Sequence, residues 1–156
     1  MNNLEIKEGA IAPDFSLVGS DNKQHKLSDY KGKRVILYFY PKDNTPGCTR
    51  EAESFRDNID SFNALNTIVL GVSRDSLASH DKFISKLNLP FVLLSDSDEK
   101  VVNLYGVLKE KTMFGKKSMG IERSTFIINE DGVIEKIYRK VKVNGHVEDI
   151  LEHMDK

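Results

Sequence analysis

The sequence of 156 residues contains a single cysteine, Cys48. One thiol cannot form an intramolecular disulfide, a Cys-x-x-Cys redox pair or a cysteine-rich zinc site. These three arrangements are therefore excluded within the chain. The four histidines are widely separated and show no ligand spacing, so we expect them at surface or helix-capping positions and expect no metal site: His25, His80, His146 and His153.

Long apolar runs are also missing. The densest one, residues 35–40, has six residues, whereas a membrane-spanning helix needs about 20. The first eight residues contain no apolar segment and carry acids where a signal peptide would be positive. We therefore expect a protein that does not cross a membrane, with the cytoplasm as its default location.

The chain has no surplus of one charge. Its 23 basic residues nearly balance its 24 acidic ones, which argues against a general nucleic-acid binder, because phosphate binding needs concentrated positive charge. The length fits one domain, residues 1–156, and a chain of this size buries roughly two thirds of the surface that it exposes when unfolded. No linker, repeat or low-complexity tract interrupts it.

Short strand-like runs alternate with amphipathic stretches, a pattern typical of an α/β domain. The apolar run at 34–40 predicts a central strand buried on both faces, and 67–73 predicts a second strand. Residues 126–138 predict an antiparallel hairpin, in which Asp131-Gly132 supplies the turn. Apolar spacing predicts helices over 48–65, 76–88 and 147–154. Residues 109–119 carry four lysines and predict an exposed loop or irregular hairpin.

The setting of Cys48 is a turn-rich loop between a buried strand and a helix. The sulfur is therefore expected in the first turn of the helix, where free backbone N–H groups and the helix dipole favour a thiolate. Pro41 limits water on the strand side, and Thr45 can point its hydroxyl into the same pocket. A lone cysteine is nevertheless often an inert buried residue, and the residues alone leave both interpretations open.

A family resemblance decides between them. Residues 39–52 read Phe-Tyr-Pro-Lys-Asp-Asn-Thr-Pro-Gly-Cys-Thr-Arg-Glu-Ala. This segment resembles the active site of peroxiredoxins, specifically the bacterioferritin comigratory protein or peroxiredoxin Q subfamily. Segments 9–17, 105–107, 115–117, 119–128 and 138–141 resemble family segments in the same order. The resemblance covers nearly the whole chain and implies a thioredoxin-like fold, with a central mixed β-sheet flanked by helices.

The resemblance also implies roles for five residues. Cys48 would be the peroxidatic cysteine, which attacks a peroxide oxygen and becomes a sulfenic acid. Thr45 would hydrogen-bond the thiolate and the incoming peroxide. Arg123 would lie beside the sulfur, where it would stabilise the thiolate and the charge that moves onto the departing oxygen. Pro41 would shield the site, and Glu51 would orient its polar neighbours. Fixed donors of this kind act where charge develops during displacement at oxygen. The reaction implied needs no metal or cofactor.

The sequence departs from its relatives at the second cysteine. Many relatives carry a resolving cysteine five residues after the first, here Glu53, and others carry it at the position of Ile84. Without either thiol, the sulfenic acid must be reduced from outside, by thioredoxin, a glutaredoxin or a small thiol. We therefore expect a 1-Cys-type cycle in a thioredoxin-dependent peroxidase, and the subfamily leans toward a monomer.

Two other functions, a cysteine hydrolase and a redox sensor or holdase, are alternatives to the peroxidase. A cysteine hydrolase would need a histidine base near Cys48, and no signature of that class surrounds it. A redox sensor or holdase on the same fold would be oxidised by peroxide without turning over. The lysines of 109–119 are typical of a solvated loop. An alternative hypothesis is that they help to dock the reductant.

Overall fold

The computed structural model describes residues 5–155 of the chain. Within this range the backbone forms nine strands: β1 (Ser16–Val18), β2 (Gln24–Lys26), β3 (Arg34–Phe39), β4 (Thr67–Ser73), β5 (Val92–Ser95), β6 (Leu108–Met113), β7 (Lys116–Ile121), β8 (Ser124–Ile128) and β9 (Ile134–Tyr138). Five α-helices accompany them: α1 (Pro46–Asp57), α2 (Ile59–Ala64), α3 (Leu77–Leu87), α4 (Lys100–Leu104) and α5 (His146–Met154). A single 3-10 turn spans Leu27–Tyr30 in the described chain.

Five of the strands form the central sheet, in the order β5-β4-β3-β8-β9. Strands β3, β4 and β5 run parallel, because α1 with α2 and then α3 carry the chain back to the start of the next strand. Strand β8 runs antiparallel to β3, and β9 runs antiparallel to β8. The prediction of an α/β chain with a mixed central sheet is confirmed. The short strands β1, β2 and β5 and the helix α4 were not predicted from the sequence.

Strand β3 has both faces buried, as the sequence predicts. Alternate residues point to opposite faces of a strand. Val35, Leu37 and Phe39 join one core cluster beneath α4 and the N-terminal segments. Ile36 and Tyr38 join the other, which α1, α2, α3 and α5 cover. The strand is therefore the shared wall of two cores, and its carboxyl end is held firmly where the chain turns towards Cys48.

The predicted helix over 48–65 is two helices. The break lies at Asn58, whose side-chain amide donates to the Ser54 carbonyl at 2.8 Å and whose backbone N–H donates to the Phe55 carbonyl at 3.2 Å. Asparagine competes with helical hydrogen bonding in this way. Helix α1 also begins at Pro46, two residues before Cys48, because proline suits the first position of a helix.

The other two predicted helices are confirmed with small shifts of their ends. Helix α3 is capped by Ser76, whose hydroxyl accepts a hydrogen bond from the Ser79 N–H at 3.2 Å. Helix α5 buries Val147, Ile150 and Met154, the stripe that the spacing predicts. None of the helices between residues 5 and 155 is both long and apolar enough to cross a membrane.

Residues 109–119 form a regular antiparallel hairpin rather than a loop. Strands β6 and β7 pair from Leu108↔Ile121 to Met113↔Lys116, and a two-residue turn of Phe114 and Gly115 joins them, both with positive φ. The predicted exposure is confirmed, since the residues from Lys109 to Met119 are exposed. The regular pairing was missed because both faces of these strands are exposed and carry polar residues, so apolar and polar residues do not alternate along them.

The prediction for the histidines is wrong at two of the four. His80 is 0% exposed and His146 is 4% exposed, and both hydrogen-bond inside the protein. His80 contacts Asp43, while the His146 Nε2 lies 2.7 Å from the Thr125 hydroxyl. A histidine with partners for its ring nitrogens can be buried without large cost. Burial lowers the pKa of His146 to about 4, which keeps this ring neutral.

The packing of the three parallel strands depends on Gly71 in β4. This glycine pairs with Tyr38 of β3 on one side and Leu93 of β5 on the other. A Cβ at Gly71 would lie 2.7 Å from the Leu93 Cδ2 and 2.9 Å from the Tyr38 Cζ. Both neighbours are buried, so neither can move away cheaply.

We expect Gly71→Ala to lower the free energy of unfolding by about 1–3 kcal/mol, the usual cost of overpacking a core. Urea denaturation followed by circular dichroism measures it. Gly120→Ala is the matched control, because its Cβ would meet only the flexible end of exposed Lys111. Equal stabilities of the two variants would contradict this account of Gly71.

Candidate active site

The site lies where β3 ends and α1 begins. Thr45 is the residue before α1, Pro46 is its first residue and Cys48 its third. The sulfur is thus in the first turn, as the sequence predicts, where backbone N–H groups lack helical partners and attract negative charge. Cys48 is only 2% exposed, so bulk water is largely kept from it.

Arg123 joins the sulfur to a buried carboxylate. Its Nη2 donates to the Cys48 Sγ at 3.3 Å, and its Nη1 donates to the Glu51 Oε1 at 2.6 Å. Cys48 and Glu51 are three residues apart and so share one face of α1. The planar guanidinium spans this single helical turn, which suits its fork of N–H donors. The result is a fixed positive charge directly beside the sulfur.

The sheet explains how Arg123 reaches Cys48, 75 residues away. Strand β8 pairs with β3 so that Ser124 lies opposite Phe39. Arg123, immediately before β8, therefore stands beyond the carboxyl end of β3, beside the start of α1. Sequence spacing alone could not have found this residue, whose prediction depended on the family resemblance.

Gly47 makes room for the guanidinium. A Cβ at this position would lie 3.2 Å from the Arg123 Nη2, closer than side chains normally approach. The residue before the sulfur is therefore a glycine for reasons of space, although its backbone is helical. The signal for this was visible in the sequence as Pro46-Gly47 at the helix start, but only the structure shows what fills the space.

Glu51 is 1% exposed, and burial raises its pKa to about 7 even though the charge and hydrogen bonds of Arg123 act to lower it. Its second oxygen, Oε2, has no hydrogen-bond partner among the described residues, and neither has the buried Tyr38 hydroxyl. Burial also raises the pKa of Tyr38 well above its ordinary value, with nearby Glu51 and Cys48 acting in the same direction. The buried side of the site therefore offers few hydrogen-bond partners to its polar atoms.

Thr45 and Pro41 flank the sulfur in the loop. The Thr45 hydroxyl donates to the Lys42 carbonyl at 2.8 Å, and so closes the loop rather than contacting the Sγ. Pro41 is half-buried and follows the buried Tyr40. The structure thus brings Cys48, Arg123 and Glu51 into direct contact and leaves Thr45 and Pro41 in the surrounding loop.

A buried polar network that sequence reasoning missed holds this loop. Asp43, 5% exposed, accepts hydrogen bonds from the Tyr40 hydroxyl at 2.5 Å and the Ser79 hydroxyl at 2.8 Å. Its Oδ2 also lies 2.7 Å from the His80 Nδ1. The network therefore fixes the loop to helix α3. The sequence did contain a signal that His80 is buried, because this residue lies on the apolar stripe of α3 with Leu77 and Leu87.

The arrangement of protons on His80 follows from its partners. Its Nε2 lies 3.0 Å from the Leu94 carbonyl, which only accepts, so Nε2 carries a hydrogen. Its other nitrogen, Nδ1, lies 2.7 Å from the Asp43 Oδ2. Among the described residues, Asp43, Asp75 and His80 are close enough to hold a metal ion, with donor atoms within 4.8 Å of one another. All three already hydrogen-bond within the protein.

Neither buried histidine hydrogen-bonds to the sulfur in the part of the chain that the structure describes. The His80 ring is engaged with Asp43 and Leu94, and His146 with Thr125. A cysteine hydrolase needs a base within hydrogen-bond reach of its nucleophile. The geometry instead offers a thiol beside a guanidinium, which suits attack on a substrate that leaves as an anion.

Comparison with known proteins agrees with this chemistry. The model of the AhpC/TSA family matches residues 9–137. Peroxiredoxin Bcp of Bacillus subtilis is 52% identical over 149 residues, which are 96% of this chain and 95% of that protein.

Two solved structures are similar throughout. A cysteine-to-serine variant of Xylella fastidiosa PrxQ superposes with a TM-score of 0.92 at 41% identity, covering 97% of this chain and 96% of that one. Xanthomonas campestris bacterioferritin comigratory protein, described for its alkyl peroxide reduction activity, has a TM-score of 0.87 at 42% identity and covers 90% of each chain. The predicted thioredoxin-like fold is confirmed by these neighbours.

The space at Gly47 can be tested by filling it. In Gly47→Ala the new Cβ would lie 3.2 Å from the Arg123 Nη2 and would displace the nitrogen that donates to the sulfur, while alanine suits a helix at least as well as glycine. We expect unchanged stability but slower alkylation of Cys48 by iodoacetamide, by about fivefold for the loss of one charge-assisted contact. Thr49→Ala, one position further on, is the control. An unchanged alkylation rate in Gly47→Ala would refute the role of this glycine.

The buried carboxyl gives stability a pH dependence. Since the pKa of Glu51 rises from 4.5 to about 7 on folding, the folded chain retains a proton between these values that the unfolded chain has released. The wild-type free energy of unfolding should therefore fall, relative to Glu51→Gln, as the pH rises through this window, by roughly 2 to 3 kcal/mol in total.

Urea denaturation of the reduced protein across the same window measures this difference. Glu53→Gln is the matched control, because Glu53 lies on the same helix and is half-buried. It should follow the wild type at every pH. A constant difference between wild type and Glu51→Gln would contradict the proton uptake by Glu51.

Proposed function

The chain belongs to the AhpC/TSA family as a peroxiredoxin of the bacterioferritin comigratory protein type, and we propose that Cys48 is its peroxidatic residue. The chain is a thiol peroxidase. Its proposed substrates are hydrogen peroxide and alkyl hydroperoxides, reduced to water and alcohols. The observation that carries the assignment is the Arg123 guanidinium, held between the Cys48 Sγ and Glu51 at 3.3 and 2.6 Å.

In the first half of the cycle the thiolate attacks one oxygen of the hydroperoxide. The S–O bond forms as the O–O bond breaks, the sulfur is oxidised to a sulfenic acid, and the departing oxygen takes a proton to leave as water or an alcohol. Arg123 stabilises the anion as its charge moves from sulfur to the departing oxygen. Low exposure of Cys48 strengthens this interaction because little water screens it.

The remaining predicted site residues support this step. The Thr45 hydroxyl, which closes the loop through Lys42, would turn to the bound peroxide and donate a hydrogen bond to it. Pro41 would keep water from the strand side of the sulfur. Glu51 would act through Arg123, fixing the plane of its guanidinium. Thr45 and Arg123 are therefore proposed as catalytic residues, and Pro41 and Glu51 as their support.

In the second half an outside thiol must act, because the chain has no second cysteine. A thiol attacks the sulfenic sulfur, a mixed disulfide forms and water leaves. A second thiol then attacks the partner's sulfur, which releases the Cys48 thiolate and one oxidised disulfide. We propose thioredoxin as the reductant, with glutaredoxin and small thiols as the alternatives. This gives a 1-Cys-type cycle.

Three further properties belong to the same proposal. A single domain over residues 1–156 is supported by the one central sheet and by a family match over 9–137. A monomer in the cytoplasm is supported by the subfamily resemblance. Gel filtration and cell fractionation test these two.

The function itself is tested by peroxide consumption with dithiothreitol. Wild type should turn over many times, whereas Cys48→Ser should lose all activity because no other thiol is present. Mass spectrometry of the peroxide-treated wild type should find Cys48 as a sulfenic acid or a mixed disulfide. Oxidation of Cys48 without turnover would show a redox sensor instead, and full activity in Cys48→Ser would refute the mechanism.

A further inference from the structure

The hairpin of β6 and β7 has an exposed apolar end. Phe114 at its turn is 98% exposed and Met113 beside it is 67% exposed. Most large apolar side chains of the described chain lie in the two cores instead. An aromatic ring and a thioether side by side in solvent are characteristic of protein interaction surfaces, where aromatic residues and methionine are enriched.

Phe114 also has an unfavourable backbone. It is the first residue of a two-residue turn and has φ +53°, followed by Gly115 with φ +76°. Turns of this kind prefer asparagine or glycine at the first position, because a bulky side chain is disfavoured at positive φ. Phenylalanine costs stability here and buries nothing in return. Such strain points to a function for the side chain.

The strand register gathers the lysines of the hairpin on one face. Lys109, Lys111 and Lys116 point to the same side as Met113, because side chains alternate along each strand and Met113 pairs with Lys116. Lys117 points to the other side and pairs with Glu110 at 3.7 Å. Within residues 5–155 the first three lysines form no ion pair. This face therefore carries three lysines and no acidic side chain.

This basic face is joined to the active site. Strand β7 ends at Ile121, two residues before Arg123. The hairpin thus leaves the molecule at the edge of the sheet where β3 ends and α1 begins. Arg74, which directly follows β4 at the same edge, donates to the Met119 carbonyl at 3.3 Å and binds Glu99 at 2.9 Å. These contacts tie the hairpin to that edge.

We propose that this hairpin docks a protein thiol reductant, one whose reactive dithiol is surrounded by an apolar patch and acidic side chains. The inference rests on the proposed function, since a single-cysteine cycle must meet an outside thiol in every turnover. The lysines would draw the acidic partner in, and Phe114 and Met113 would enter its apolar patch. Such a transient encounter needs fast association more than a large interface.

The test separates docking from chemistry. Peroxide turnover is measured with two reductants: a thioredoxin of net negative charge, recycled by its reductase and NADPH, and dithiothreitol, which needs no docking surface. The variants are Phe114→Asn and the triple change of Lys109, Lys111 and Lys116 to glutamine. Lys117→Gln is the matched control, because it removes one charge from the opposite face of the same hairpin.

The triple variant should lose about tenfold in kcat/KM for thioredoxin at low ionic strength, with the dithiothreitol rate unchanged and with a weaker dependence on salt. Phe114→Asn should also lose kcat/KM for thioredoxin, while its melting temperature stays level or rises because asparagine suits the turn. Opposite effects on stability and on thioredoxin turnover would not arise from a merely structural role.

Unchanged thioredoxin kinetics in both variants, with normal dithiothreitol turnover, would overturn the docking proposal and leave the peroxidase function intact. Absence of dithiothreitol turnover in the wild type would instead overturn the proposed function. Sedimentation with vesicles of anionic phospholipid provides the third arm. Vesicle binding that the variants lose, together with unchanged thioredoxin kinetics, would assign the hairpin to a lipid surface and overturn the proposal.

Discussion

The contact on which the site depends is that of Arg123 with Cys48 and Glu51. A guanidinium between a sulfur and a carboxylate within one helical turn needs three things at once. Strand β8 must pair with β3 in the observed register, α1 must begin at Pro46, and residue 47 must leave space for the guanidinium beside it. The central sheet and the helix start are therefore constrained by the position of one cation. The half-buried guanidinium loses part of its hydration, and its hydrogen bonds to Cys48 and Glu51 compensate for that loss.

The loop before the helix is held by a second, independent set of buried polar groups. Asp43 receives hydrogen bonds from Tyr40, which directly follows β3, and from Ser79 of α3, and it contacts His80. These bonds connect the active-site loop to helix α3. Because a buried network fully satisfied in this way has a single favourable geometry, the loop reaches α1 already positioned. Substrate binding then does not have to order it.

Much of this could be predicted from sequence. Apolar periodicity was enough for β3, β4, α3 and α5, since burial on one or two faces dominates those segments. The site was only partly predictable. The turn-rich context placed Cys48 at a helix start, but Arg123 is distant in sequence, and only the resemblance to peroxiredoxins identified it. Asp43 and His80 were missed because partners decide whether a polar side chain can be buried. The hairpin of β6 and β7 was missed because its pattern is one of charge rather than hydrophobicity.

The burial of Cys48 has a consequence for the oxidised state. At 2% exposure the sulfur has close neighbours on nearly every side, yet each turnover adds an oxygen atom to it. Adding an atom to a close-packed interior typically costs about 1–3 kcal/mol. The sulfenic form should therefore have a looser start of α1 than the thiol form. The start of α1 would regain its packing only when the second thiol releases Cys48 from the mixed disulfide, so the protein's own packing would favour completion of the cycle.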